Sequence, residues 1–312
     1  MSGDARSAGG AGASLLVAGA TGYIGELLAE RLLDRDRRVR CMARTPERAA
    51  GLERRGAEIV SADVLRPETL PPALAGVDVA YYLVHSMGRG GDGDFAERDK
   101  RAARNFGRAA RESGVGRIVY LGGLGDADTS KHLRSRHETA KILRESGVPV
   151  IYFRAAAVLG AGSESFRTVY YLVKRLPFML TPSWTENQTQ PIAIADVLAY
   201  LEAAADLPGA GPETIEIGGP EVTSYAGMMD AAAEAIGVRP RPRISVPVLS
   251  PGLSSRWLGL VTPVDTGVAK PLVEGLTTDT VVRDPSGMAR FEIEPTPLAE
   301  AMRAAVAEIE RR

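Results

Sequence analysis

Three glycines at three-residue spacing are the first feature of the chain with chemical meaning. They punctuate Gly19-Ala20-Thr21-Gly22-Tyr23-Ile24-Gly25. Before them runs the β-rich stretch SLLVA at 14–18; after them apolar residues recur at Ile24, Leu27, Leu28 and Leu32. Such a pattern arises by chance in a chain with 34 glycines, and its place between a strand and an amphipathic helix is what makes it specific. In that place the first glycine allows a tight turn. The second lets backbone approach a pyrophosphate, and the third lets helix and strand pack closely. The amides and positive dipole end of the helix then face the phosphates. The turn implies a dinucleotide.

The end of the second strand says which one. A site for NAD usually places Asp or Glu there to bond the ribose hydroxyls. This chain has Cys41-Met42-Ala43-Arg44, with no acid before Glu47. Arg44 offers a planar cation able to clamp a 2′-phosphate, so NADP(H) is expected in preference to NAD(H). Asp63, at the end of the third strand, is placed either to contact adenine or to hold a turn. His85 ends the fourth strand, at the carboxyl edge where such sheets bind ligands, and can touch the cofactor or serve the structure.

The elements that carry these residues alternate. Strands are expected at 14–18, 39–43, 57–62, 78–84, 117–121 and 148–153, with helices at 23–34, 67–75, 95–113 and 132–146. Strand–helix alternation is the mark of a doubly wound parallel sheet. The fold class is therefore α/β, a Rossmann sheet over 14–160 with a smaller α+β lobe over most of 161–312. Residues 191–205 are expected to return to the first domain. The second half is less regular, with helices expected at 165–174, 196–204, 225–236 and 298–309 and short strands at 191–195 and 214–217.

Several motifs together give a family resemblance. They are Ala18 to Gly25, Ser61-Ala62-Asp63-Val64, Arg154-Ala155-Ala156, Pro191-Ile192-Ala193-Ile194-Ala195-Asp196-Val197 and Ile217-Gly218-Gly219-Pro220. The chain after Ser14 resembles the atypical short-chain dehydrogenase/reductase superfamily, in its NmrA-like and complex-I-accessory-subunit-like branch. Ala80 to Met87, with His132-Leu133-Arg134-Ser135-Arg136, is similar to the YbjT-type group. The resemblance implies an NAD(P)H site that includes Val64 and a substrate cleft under the second lobe. It also implies a Tyr-x-x-x-Lys pair on the helix after the fifth strand and a Ser at that strand's end.

The chain departs from that pattern at all three positions. His132 falls at the Tyr position and Arg136 at the Lys position, and Gly122-Gly123-Leu124-Gly125 follows the fifth strand. His132 and Arg136 are four apart, on one helix face. Arg136 can hold ribose hydroxyls but cannot exchange protons. His132 can act as acid or base, and a neighbouring cation favours its neutral form. The implied activity is hydride transfer to a small carbonyl-like substrate. A non-catalytic NADP(H)-sensing or assembly protein is the alternative, and a nucleotide-sugar epimerase or dehydratase the third reading. His137, beside Arg136, is expected at the surface.

Composition removes other classes. Lys plus Arg is 38 against 39 Asp plus Glu, so the chain lacks the basic excess of a nucleic-acid binder. One cysteine, Cys41, excludes a disulfide scaffold, suits a reducing cytoplasm and is expected to be a small buried strand residue. No apolar run reaches the ~18 residues of a spanning helix. No His/Cys/Asp/Glu cluster has metal-ligand spacing, and no Gly-x-Ser-x-Gly turn supports hydrolase chemistry. Residues 1–13 read as a small polar tail, without the basic-then-apolar order of a signal peptide. Phe166, Tyr170, Tyr171, Phe178, Met179 and Trp184 crowd one stretch and can form a pocket wall or a second core. Asp196 is expected to cap a helix. The segment 250–276, with Trp257, is a candidate lid, partner contact or membrane-surface patch.

Overall fold

The computed structural model describes residues 12–85, 95–126, 130–209, 211–246 and 278–312. The tail at 1–11, the glycine-rich 88–94 segment and most of 239–276, Trp257 included, lie outside these residues.

The apolar runs pair as a parallel sheet. Its strands are β1 (Ser14–Ala18), β2 (Arg38–Ala43), β3 (Glu58–Ser61), β4 (Val79–Tyr82), β5 (Arg117–Gly123) and β6 (Val150–Ala155). The β-α segments of the first half supply α1 (Tyr23–Leu33), α2 (Ala50–Arg54), α3 (Leu70–Leu74), α4 (Phe95–Glu112) and α5 (Lys131–Glu145). The second half adds β7 (Val158–Leu159), α6 (Glu164–Arg175), β8 (Met179–Pro182), β9 (Gln188–Thr189), β10 (Ile192–Ala193) and α7 (Ile194–Asp206). Beyond these lie β11 (Glu213–Ile217), β12 (Thr223–Ser224), α8 (Tyr225–Ile236), β13 (Arg243–Val246) and α9 (Leu298–Arg311).

The sheet has seven strands in the order β11-β6-β5-β4-β1-β2-β3. Its order reverses beside β1, which pairs with both β2 and β4, and the glycine turn leaves β1 at that switch point. The seventh strand comes from the second half, where a short strand was expected at 214–217. Ile215 and Ile217 are fully buried, and β11 pairs in parallel with β6 from Glu213↔Ile151 to Ile217↔Ala155. Covering the open edge of β6 satisfies its ladder.

Each face of the sheet is covered, as the continuous apolar strands require. Leu15 and Val17 face α1 and α7, through Leu28, Leu32, Val197 and Leu201. Leu16 and Ala18 face α3 to α5, through Leu70, Leu74, Phe106 and Leu143. The buried Arg117 fixes α7 by donating to the Ala204 and Leu207 carbonyls at 2.7 and 2.6 Å, which terminate the helix. A separate core joins α6, α8 and α9 through Phe166, Val173, Met228, Met302 and Val306. Phe166, Tyr170 and Met179 are buried in it, whereas Phe178 is exposed.

Candidate functional site

The glycines of the turn do three different physical jobs. Gly19 has φ +95°, and a Cβ there would stand 2.7 Å from the Leu83 carbonyl oxygen. A Cβ at Gly25 would stand 2.2 Å from the Gly19 carbonyl oxygen, so helix α1 and the turn touch backbone to backbone. A Cβ at Gly22 would meet only the Gly19 oxygen at 3.3 Å, which leaves its other side open to the cleft. Gly22 is also the N-cap of α1, and no side chain caps that helix. The amides of its first turn therefore suit an anionic ligand.

Gly19, Thr21 and Gly22 line a cleft of about 240 Å³ together with Arg44, Asp63, Val64 and His85. The strand ends expected to hold a nucleotide thus converge on one site. Arg98 of α4 joins them. Sequence reading passed over it, because a charged residue on a long charged helix carries no signal of which wall it faces. Ala20 is fully buried, and Ile24 is partly buried against the sheet core, so their contributions are to packing and backbone shape. The Asp63 carboxylate accepts the Leu65 amide at 2.9 Å, while the Asp63 amide donates to the Thr69 hydroxyl at 3.0 Å. Asp63 therefore holds a turn and lines the cleft at once.

The Tyr23 side chain turns away from the phosphate turn. Its hydroxyl donates to Glu308 of α9 at 3.0 Å, and its ring fills space that a Cβ at Gly160 or Gly162 would occupy. Burial and Glu308 hold the phenol well above its usual pKa. The first turn of α1 is in this way joined to α9.

Ser130 caps α5, its hydroxyl accepting the Leu133 amide at 3.1 Å. This start places His132 in the first turn and Arg136 one turn later. Burial first, then the charge of Arg136 and the neighbouring His85, push the His132 pKa well below 6.5, so the imidazole is neutral. His132 keeps partial exposure. Arg136 is directed inward, where its guanidinium donates to the Tyr120 hydroxyl and lies in the field of Asp99. Tyr120 belongs to a row: Tyr82, Tyr120 and Tyr152 are in register on β4, β5 and β6, with ring centroids 6.0 and 5.2 Å apart. Asp99 also accepts the Ser135 hydroxyl at 3.2 Å.

The glycines after β5 have packing reasons. A Cβ at Gly122 would stand 2.7 Å from the Tyr152 ring, and one at Gly123 would stand 2.5 Å from a Leu133 methyl. The side-chain space at these positions is filled by α5 and β6.

Two expectations are corrected. His137 is not a surface residue. It is partly buried, one ring nitrogen lies 2.9 Å from the Gly125 carbonyl, and the other lies 3.2 Å from the Tyr152 hydroxyl. The 3.6-residue turn takes it off the His132 face but onto β6. Asp196 does not cap its helix, whose N-cap is Ala193. Its buried carboxylate accepts the Thr296 amide at 2.8 Å and the Thr296 hydroxyl at 2.9 Å, fastening the segment that leads into α9. Cys41 is buried in β2, and burial pushes its thiol pKa up to about 12.

A second groove, about 420 Å³, lies between His137, Arg144, Arg154 and Thr214. It does not include the glycine turn. Among the described residues no helix is long and apolar enough to cross a membrane, and no group of three or more His, Cys, Asp or Glu is placed to hold a metal ion.

The chain is similar to known NAD(P)H-binding proteins. A family model for NAD(P)H-binding proteins matches residues 19–177. The photosystem II assembly factor Ycf39 of Synechocystis sp. is 25% identical over 212 residues, which is 66% of this chain and 62% of that protein. The chain spans less than two thirds of the Ycf39 relatives it matches, 62% in that case and 44% in that of Cyanophora paradoxa. The NAD(P)H azoreductase of Xenophilus azovorans is 27% identical over 218 residues, 63% of this chain and 73% of that protein. Among solved structures, Citrobacter sp. triphenylmethane reductase complexed with NADP(H) superposes with a TM-score of 0.72 at 18% identity, covering 94% of this chain and 99% of that one. At that identity the likeness is one of fold.

Proposed function

Because the chain belongs to the NAD(P)H-binding family of atypical, NmrA-like short-chain dehydrogenases/reductases, we propose that it is an NADP(H)-dependent oxidoreductase acting on a small carbonyl-like or quinone-like acceptor. The observation that carries the reading is the cleft in which Arg44, at the end of β2, meets the capless N-terminus of α1. The donor set fits the cofactor: backbone amides for the pyrophosphate, a guanidinium for the 2′-phosphate, and Val64 with Asp63 beside the adenine. A reduced nicotinamide, when bound, supplies a hydride.

The chain's own residues orient and polarise. His132 stands in the first turn of α5, beside His85 at the carboxyl edge of β4. Its neutral imidazole takes the proton of an alcohol in oxidation, and in reduction a proton drawn from solvent passes through it to the oxygen of the reduced carbonyl. Arg136, tied to Tyr120, keeps positive charge beneath it. Leu133 fills the place where a hydroxyl at position 123 would reach substrate, so carbonyl polarisation rests on α5.

That filled position also favours a second reading, a cofactor-sensing or assembly protein without turnover. The Ycf39 relatives are named as assembly factors. One experiment separates the two. NADPH absorbance is followed with the full chain against a panel of aldehydes, ketones and quinones. Turnover that falls at least about tenfold in His132→Phe supports the oxidoreductase reading with His132 as hydrogen-bonding partner, within the usual range for one acid–base group. Tight NADPH binding with no turnover on any acceptor supports the sensing reading. Turnover unchanged in His132→Phe removes His132 from the mechanism.

A further inference from the structure

The nucleotide cleft has a second cation besides Arg44. Arg98, on α4, lines the same cleft as Gly22, Arg44 and Asp63. Its position on the helix accounts for this. Arg98, Ala102, Asn105 and Ala109 fall at i, i+4, i+7 and i+11, on one face. Ala102 and Ala109 are buried on that face, and the Asn105 amide donates to the Val64 carbonyl at 2.9 Å. The face therefore looks onto the loop after β3. Arg98 is two turns earlier, about 10.5 Å along the axis from Asn105, at the end of α4 that lies by the carboxyl edge of the sheet. The loop opposite is held in shape by Asp63, through its bonds with Leu65 and Thr69.

The charges in the cleft make the role specific. Its described lining carries two guanidiniums, Arg44 and Arg98, against the single carboxylate of Asp63. Among the described lining residues, Arg98 tips the balance to positive. With Arg98 neutralised, Asp63 balances Arg44 and the advantage of an extra phosphate falls away.

We propose that Arg98 is the second guanidinium of a 2′-phosphate-selecting pair, acting from the α4 wall while Arg44 acts from the end of β2. This rests on the NADP(H) reading given above. Asn105 is a positioning residue for the same subsite, since it fastens the Val64 loop to the helix that bears Arg98.

The test uses 2′,5′-ADP and 5′-AMP, titrated calorimetrically into the full chain. These probes read the adenosine half alone and differ only in the phosphate at issue. Wild type is expected to prefer 2′,5′-ADP. Arg98→Gln is expected to cut that preference about fivefold, the order of one charge-assisted contact in a partly open site, with 5′-AMP affinity held within about twofold. Arg98→Lys keeps the charge and is expected to retain most of the preference, which guards against a folding effect. The proposal is overturned if Arg98→Gln keeps the wild-type ratio, weakens both ligands equally, or is matched by Arg98→Lys. Equal binding of the two probes by wild type overturns the NADP(H) reading itself.

Discussion

Gly25→Ala and Gly22→Ala separate the folding role of the glycine turn from its binding role. At position 25 the new methyl stands 2.2 Å from the Gly19 oxygen, 2.8 Å from the Gly19 carbonyl carbon and 3.2 Å from the Ala20 Cα. The first contact falls short of an ordinary separation of about 3.5 Å by roughly 1.3 Å. All three neighbours are backbone, in an element covered on both sides, so no flexible side chain can give way. Overpacking of this kind costs about 3 kcal/mol, at the upper end of its usual range. Removing a glycine from a helix interior returns about 1 kcal/mol. The expected net loss is about 2 kcal/mol. With a urea slope of about 3 kcal/mol/M that is a midpoint shift of roughly 0.7 M. At position 22 the methyl meets one oxygen at 3.3 Å and the backbone sits at φ −95°, so strain is small. Its stability is expected to change by less than about 1 kcal/mol. Its methyl instead projects where phosphate oxygens need to approach, and NADPH affinity is expected to fall by at least about tenfold. The assays are urea unfolding followed by circular dichroism and titration of NADPH fluorescence. The reasoning fails if Gly22→Ala unfolds as readily as Gly25→Ala, or if it binds NADPH as wild type does.

Three further outcomes follow from named contacts. The His132 pKa is lowered in the folded chain from 6.5, so the unfolded chain binds more protons there below that pH. Wild type is expected to lose stability relative to His132→Gln as pH falls through 6.5 toward 5, and parallel urea midpoints over that range would contradict this. Asp196→Asn keeps one acceptor but turns an NH2 group on the Thr296 amide or hydroxyl, so a loss of about 2 kcal/mol is expected, read as a lowered thermal midpoint. Tyr23→Phe removes the hydroxyl bond to Glu308 and is expected to cost about 1 kcal/mol while leaving NADPH affinity within about twofold. A large loss of NADPH affinity would place the Tyr23 hydroxyl on the cofactor instead.

Local signals were readable in proportion to how local their causes are. The glycine turn is visible because strand, turn and helix are contiguous and each glycine's need arises within a few residues of it. The six strands of the first half are visible because each is an apolar run that must be buried on both faces. Ile215 and Ile217 form such a run too, but their partner strand is β6, some sixty residues earlier, and nothing in the alternation after 160 says so. Asp196 shows an acid in a first turn, which suits a cap; its real partner, Thr296, is 100 residues away. His137 is placed by helical spacing alone off the His132 face, and the residues that receive it, Gly125 and Tyr152, come from other elements. Arg98 is hidden for the same reason. Arg136 shows the reverse case: its spacing from His132 was readable, yet its direction is set by Tyr120 and Asp99, on β5 and α4.

On the proposed reading, the cleft at the end of β2 holds NADP(H) by its 2′-phosphate. The most direct measurement is the affinity of the full chain for NADPH and NADH, with wild type and Arg44→Gln side by side. Wild type is expected to bind NADPH at least about tenfold tighter than NADH, and Arg44→Gln is expected to remove most of this difference while sparing NADH. Equal affinity for the two, unchanged by Arg44→Gln, would contradict it.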